Sequence, residues 1–436
     1  MKKTACCVIA CVICWAAVLA VCFGLLCAAA AVPDSSIAGA LASSCDKLAV
    51  HEPHEKTVGT LYNSVCDNYA DAVLLGVAAN MSSEDIPRSV IDTRYYDDDY
   101  GPAVGIRATL NGKKGNIDYT RYWHGSLVFV RPLLALTDIG GIRMIAAAVT
   151  ALLLLGNIAL LIYKKHKAAA VLLVVSAVLV HFWFVFTALE YMTTFIIMLA
   201  VLPLYVRYAG SPRVLAVISA GVGTVTAFAD FLTTETLTLL VPLAMSFFIT
   251  AESGEKPDGR KSLITTVSCG AAWGCGYLFT FAAKWVTASA MLGGSISSAA
   301  LSAAGERFTG ATEGLSSVPE LFFSSLGANL SMLAPVSQKI SVAGILVWLA
   351  LFAAVCTVIY RKDRRTHNLP KASIIVIAAV PLIRISVLMN HSYLHNFFTY
   401  RALMASIMAI LGLMWYRVGG AGAGKGQRNK KTKTKP

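Results

Sequence analysis

Charge is scarce in this sequence. Only 14% of its 436 residues are Asp, Glu, Lys or Arg, against 56% hydrophobic, a balance that soluble domains of this size rarely show. Phosphate-cradling loops are missing too: there is no GxxxxGK[ST] and no strand-borne GxGxxG, which argues against a nucleotide-binding domain. No internal repeat is visible. Eleven cysteines occur, but Cys6, Cys7, Cys11, Cys14, Cys22 and Cys27 share the first apolar run without the spacing or partners that a metal site needs, so they read as apolar filler. Cys45 and Cys66 share the first polar segment, which leaves a disulfide between them open.

What the chain has in quantity is long apolar runs. Thr4 to Ala31 comes first, and further runs lie near 143–163, 168–188, 192–208, 213–230, 236–250, 263–287, 341–360, 372–389 and 402–416. Many reach the roughly 18 residues needed to cross a bilayer. The expected fold class is an all-α polytopic membrane protein of about ten transmembrane helices, with a large external loop after the first. Residues 1–31 form the first helix, read as a retained signal anchor because the apolar part of a cleaved signal is only about 7–15 residues. An external loop with juxtamembrane helices follows at 32–142, helices two to seven at 143–287, a second external loop at 288–340, helices eight to ten at 341–416 and a basic tail at 417–436.

Charge placement supports this topology. Of the 37 Lys+Arg and 24 Asp+Glu, 22 and 4 fall on the side of the two termini, leaving 15 and 20 opposite. The sides therefore carry +18 and −5, as expected if Lys164, Lys165, Lys167, Arg361, Lys362, Arg364 and Arg365 are cytoplasmic. This puts both termini in the cytoplasm of a plasma-membrane protein. The net charge of +13 describes orientation and attraction to anionic lipid, with no nucleic-acid partner implied.

The polar equipment then faces outward. In LYNSVCDNYADAVLLGVAAN, 61–80, a helix would set Asp67 and Asp71 on one face at i,i+4. Lying in the interface with its apolar side down, it would present both carboxylates outward. A merely solvated acidic face is the competing reading. TRYYDDDYG, 93–101, reads as a surface loop, since its Asp97–Asp99 run lacks the spaced oxygens of a calcium loop. Ionisable groups in or beside spans are costly and so are candidate functional groups. They are Lys284, Arg384, Asp230 with Glu235, Glu190 at a turn, and His391, His395 and Arg401 in NHSYLHNFFTYR. Taken singly, Lys284 and Arg401 could snorkel to headgroups and Asp230 could cap a helix. Together they gather on one face. DYTRYWHGSLVFVRPLL adds Arg121, His124 and a flexible Gly125 beside interfacial aromatics.

Such a set suits transfer from a lipid-linked phosphate to a hydroxyl, with a carboxylate as base and cations on the leaving group. The layout, together with DNYADAVLL, RYWHGSLVFVRPLL, ADFLTTETLTLLVP, AAKWV and HSYLHNFFTYR, resembles the GT-C superfamily of membrane glycosyltransferases. That resemblance implies a polyprenyl-phosphate-linked sugar as donor and a glycan, lipid or protein of the cell envelope as acceptor. It also implies inverting transfer, a catalytic base at Asp67 or Asp71 and lipid-phosphate contacts at Lys284 and Arg401. The Asp97–Asp99 run is the rival site. Arg121, His124, Arg384, His391, His395 and Asp230 are further expected substrate contacts. No metal ligand is assigned, and a divalent metal cofactor stays open. A transporter or flippase for a lipid-linked sugar is the alternative, with Pro203, Pro242 and Pro381 as places where helices could break.

Overall fold

A computed structural model describes residues 2–255, 257–293, 296–310, 315, 317–334, 339–360 and 369–418. Most of the basic tail, together with Arg361, Lys362, Arg364 and Arg365, lies outside the described residues. The described residues are 77% helix and 3% strand, an all-α membrane protein. Among the described residues five helices are long and apolar enough to cross a bilayer: Thr4–Ala30, Ile139–Tyr163, Leu189–Arg207, Pro212–Ala229 and Asn396–Tyr416.

The polar segment after the first helix, α1 (Lys2–Ala30), folds into five short helices: α2 (Asp34–Ala49), α3 (Asn68–Asn80), α4 (Ile86–Ile91), α5 (Pro102–Leu110) and α6 (Leu127–Leu134). Two short hairpins pin it: β1 (His54–Lys56) pairs antiparallel with β2 (Val65–Asp67), and β3 (Arg94–Tyr95) with β4 (Ile117–Asp118). Buried Arg131 of α6 ties the segment together, donating to the carbonyls of Val32 and Ala78 and to the Asp34 carboxylate. These partners satisfy a charge that would be expensive to bury alone.

The bundle continues through α7 (Ile139–Tyr163), α8 (Lys167–Leu179), α9 (Leu189–Arg207), α10 (Pro212–Ala229), α11 (Leu237–Glu252) and α12 (Gly259–Leu292). Then come α13 (Ile296–Thr309), α14 (Val318–Ser331), α15 (Val342–Tyr360), α16 (Lys371–Val387), α17 (Met389–Leu394), α18 (Asn396–Thr399) and α19 (Leu403–Val418). α10 packs most closely on α12. A Cβ at Gly223 would come within 2.1 Å of the Trp273 carbonyl, and one at Gly276 within 2.3 Å of that of Ala220, so small residues set this backbone approach.

Two expectations change. The run at 168–188 is not one helix: α8 stops at Leu179, His181 turns the chain with φ 54°, and an aromatic 3₁₀ turn spans Phe182–Thr187. The helix expected over 61–80 starts only at Asn68, because β2 holds 65–67 extended and Asp67 caps the first turn by accepting from the Ala70 N–H at 2.8 Å. Nor does α3 lie flat in an interface. It is enclosed by α2, α5 and α9, and both carboxylates are buried. Cys45 and Cys66 are free thiols; the Cys66 thiol donates to Asn68 Oδ1 and the Thr187 carbonyl.

Candidate active site

Where the 32–142 segment meets the bundle, a cavity of about 380 Å³ opens. From one side come Asp67 and the His54 imidazole; from α9 comes Glu190; from the RYWHG stretch come Arg121 and His124; from α13 comes Arg307, from α17 His391, and from the junction of α17 and α18 His395. A second, apolar groove of about 220 Å³ adjoins it, walled by Tyr122, Tyr277, Phe281, Trp285 and alanines of α13. Arg121 and Arg307 line both spaces.

The RYWHG stretch is stitched in place. The Gly125 N–H donates to the Phe228 carbonyl at 2.8 Å, the Trp123 indole N–H to the Thr280 carbonyl at 2.8 Å, and the Trp285 indole N–H to the Arg121 carbonyl at 3.0 Å. Gly125 is therefore a close-contact residue rather than a flexible one, since a Cβ there would meet the Phe228 ring at 2.2 Å. The neighbouring His124 takes the strain, with φ 55°, a conformation that non-glycine residues adopt at a cost. Its Nε2–H donates to the Tyr119 carbonyl at 3.2 Å, so Nδ1 carries a lone pair, and that buried atom has no partner. Burial, with Lys284 and Arg121 nearby, pushes its pKa down to about 3, so the ring is neutral and accepts.

Arg121 stacks its guanidinium over Tyr119 (4.3 Å) and Tyr122 (5.3 Å). Its buried Nε has no partner. Arg307 Nη1 donates to His391 Nδ1 at 3.3 Å, and His391 Nε2–H to the Leu232 carbonyl at 2.8 Å. Neither arginine has an ion-pair partner among the described residues. Burial also lowers His391 well below the usual range and His395 to about 3. Asp67 is shifted the other way. Burial raises its pKa, partly offset by His54 (Nε2 at 3.6 Å) and the Ala70 N–H.

Of the residues singled out in the sequence, Asp67, Arg121, His124, His391 and His395 meet at this cavity. Asp71, Asp230, Lys284, Arg384 and Arg401 do not line it; they fasten its walls. Asp71 accepts from Arg143 Nε at 2.7 Å and from the Leu189 N–H at 3.1 Å. Asp230 closes the turn after α10 by accepting from the Thr233 N–H and hydroxyl. Lys284 does not snorkel. It is fully buried, donates to the carbonyls of Val90 and Ile91 at 3.1 and 2.8 Å, and lies over the Trp123 ring. Arg384 makes a two-pronged pair with Glu235 (2.9 and 3.1 Å). Arg401, equally buried, donates to the Phe397 and Asn63 carbonyls and so joins the chain at the start of α19 to the 32–142 segment. Asp98 and Asp99 of the rival acidic run are exposed and lie away from the cavity.

Sequence reading missed Arg307 and His54, which carry no local signal, and placed Glu190, which also lines the cavity, among the ionisable candidates at a turn without giving it a site role. A carboxylate at the first turn of an otherwise apolar helix was the available clue. Among the described residues, no group of three or more His, Cys, Asp or Glu converges to hold a metal ion. Comparison with protein-family models, curated proteins and solved structures finds no match.

Proposed function

We propose that the chain is a glycosyltransferase of the plasma membrane that moves a sugar from a polyprenyl-phosphate donor to a cell-envelope acceptor on the outer face. The observation that carries this reading is the seam at Arg121 and Arg307. On one side lies a cavity with carboxylates and neutral imidazoles, matched to a sugar and a hydroxyl acceptor. On the other lies an aromatic and aliphatic groove, matched to a prenyl tail. Two cations without carboxylate partners at the junction suit the phosphate between them. In this reading the charges of Lys284 and Arg401 hold the outer segment on the bundle, Arg384 fastens the turn between α10 and α11 through Glu235, and the donor phosphate is bound by Arg121 and Arg307.

Asp67 acts as base. It takes the acceptor proton while the acceptor oxygen bonds the anomeric carbon and the phosphate leaves, with inversion. About ten spans, a GT-C-like arrangement and cytoplasmic termini belong to the same proposal, supported by the apolar runs and the +18 to −5 charge contrast read from the sequence.

The test is incubation of the purified protein with a panel of polyprenyl-phosphate sugars and candidate acceptors, following donor loss. Asp67→Asn is expected to lower transfer by about 10²–10⁴-fold with the far-UV circular dichroism unchanged. Movement of intact donor across liposomes without donor loss would instead establish the flippase alternative. Wild-type transfer by Asp67→Asn would remove Asp67 as base.

A further inference from the structure

Asp67 reaches the cavity from the N-terminus of α3, and Glu190 from the first turn of α9. Asp71 brings these two elements together, because its carboxylate holds the Leu189 N–H next to Glu190. Both carboxyl groups line the cavity, and the Tyr191 hydroxyl, donating to the Val65 carbonyl at 3.2 Å, pins Glu190 beside Asp67 from the other side. Glu190 Oε1 is buried at the cavity wall with no partner. Two buried carboxylates side by side repel when both are ionised, so the pair favours keeping one proton.

The surroundings decide where the charge rests. Asp67 is faced by the Ala70 N–H at 2.8 Å, by His54 at 3.6 Å and, through Asp71, by Arg143. Glu190 Oε1 has no donor, and the Asp71 carboxylate sits beside it on the Leu189 N–H. Asp67 has an N–H donor and an imidazole in place, whereas Glu190 Oε1 has neither, although Arg121 and Arg307 line the same cavity; this assigns the negative charge to Asp67 and the proton to Glu190.

We propose that Glu190 is a positioning residue for the base: its carboxyl proton, donated to Asp67, keeps Asp67 ionised inside the buried cavity and fixes the orientation of its carboxylate. This rests on the reading of Asp67 as base. In transfer the acceptor O–H gives its proton to Asp67, the acceptor oxygen bonds the anomeric carbon, and the bond from that carbon to the phosphate oxygen breaks with its electron pair leaving on the phosphate. The pair then holds two protons and returns one to solvent, for which half-exposed His54 is the adjacent carrier.

Two measurements on the full-length protein in detergent micelles decide this. Infrared difference titration of the protonated carboxyl band reads the pair without any substrate. At neutral pH a band present in wild type is expected to vanish in Glu190→Gln, and Glu190→Ala is expected to move the ionisation of Asp67 upward by about one pH unit or more. An unchanged neutral-pH band in Glu190→Gln overturns the proposal, whatever the enzyme's substrate proves to be. The second measurement is the pH profile of kcat/KM with whichever polyprenyl-phosphate sugar of the panel is consumed. Glu190→Ala should shift the acid limb up by a similar amount, about tenfold in activity at a pH on the limb, and recover the plateau at higher pH. Glu190→Gln, whose amide N–H donates in place of the carboxyl, should leave the limb where it is. A plateau lowered at every pH with an unmoved limb would mean a purely structural role and refute the proposal. Failure of Asp67 as base shows separately, as transfer by Asp67→Asn.

Discussion

Asp71 offers the sharpest separation between a fastening role and a chemical one. Its carboxylate is 1% exposed, and both oxygens are occupied by Arg143 Nε and the Leu189 N–H. Removing one partner of a buried ion pair typically costs about 3–5 kcal/mol, because the other charge is stranded. In Asp71→Asn the stranded group is Arg143, which is 21% exposed along its side chain and keeps its bond to Asn68 Oδ1 at 2.9 Å. The expected loss is therefore smaller, about 2–3 kcal/mol. Arg143→Met strands a fully buried carboxylate and should cost about 3–5 kcal/mol. Asp71→Asn combined with Arg143→Met strands no charge, so its loss should fall at least about 2 kcal/mol short of the sum of the single losses. Equilibrium unfolding in mixed micelles, followed by tryptophan fluorescence, measures all three. Losses that simply add would refute the clamp. A clamp also predicts that the double variant transfers sugar better than Asp71→Asn alone, which a catalytic Asp71 would forbid.

Lys284→Met leaves the Val90 and Ile91 carbonyls without their donor, at about 1–3 kcal/mol for each buried group left unsatisfied. Faster amide exchange across 86–95 with an unchanged KM for the lipid donor is the expected result, and a raised donor KM without faster exchange would return Lys284 to the phosphate. The pH dependence of stability is set partly by His124, His391 and His395, all held below their usual range by burial. The unfolded chain takes up these protons near pH ~6.5 and the folded chain only far lower, so their contribution is complete above that value. It falls as pH drops, by up to about 1.4 kcal/mol per pH unit for each. Asp67 and Asp71, raised by burial, act oppositely and lose stability as pH rises through their folded values. His124→Asn, which tolerates the left-handed backbone, should make the acid-side fall shallower in an unfolding series from about pH 7 to 4, and an unaltered slope would contradict a neutral buried His124.

The apolar helices were legible because long apolar runs leave few alternatives to a helix, and most helix ends fall within a few residues of the run ends, although only five of the described helices are long and apolar enough to cross a bilayer. The break at His181 was not, since an aromatic 3₁₀ turn is as apolar as a helix. The charges in and beside the apolar helices were legible as a group but not by role. Sequence places Lys284, Arg384 and Arg401 beside a polar surface, and a cation there can equally meet a phosphate, a carboxylate or bare carbonyls. Which one it meets depends on partners roughly 150 to 340 residues away: Glu235 for Arg384, Val90 and Ile91 for Lys284, Asn63 for Arg401. The same distance hides Arg307. It stands in a small-residue helix with no motif, and only the fold brings it beside His391 and opposite Arg121. The discriminating property is where an unpaired atom lies. Lys284 and Arg384 meet carbonyls or a carboxylate, while Arg401 meets two carbonyls and keeps its Nε unpaired away from the cavity. Arg121, His124 and Glu190 keep buried polar atoms unpaired at the cavity wall. Such atoms are costly wherever they lie, but only at the cavity can an entering polar ligand complete them, and on that ground the proposed recognition chemistry is given to the cavity residues.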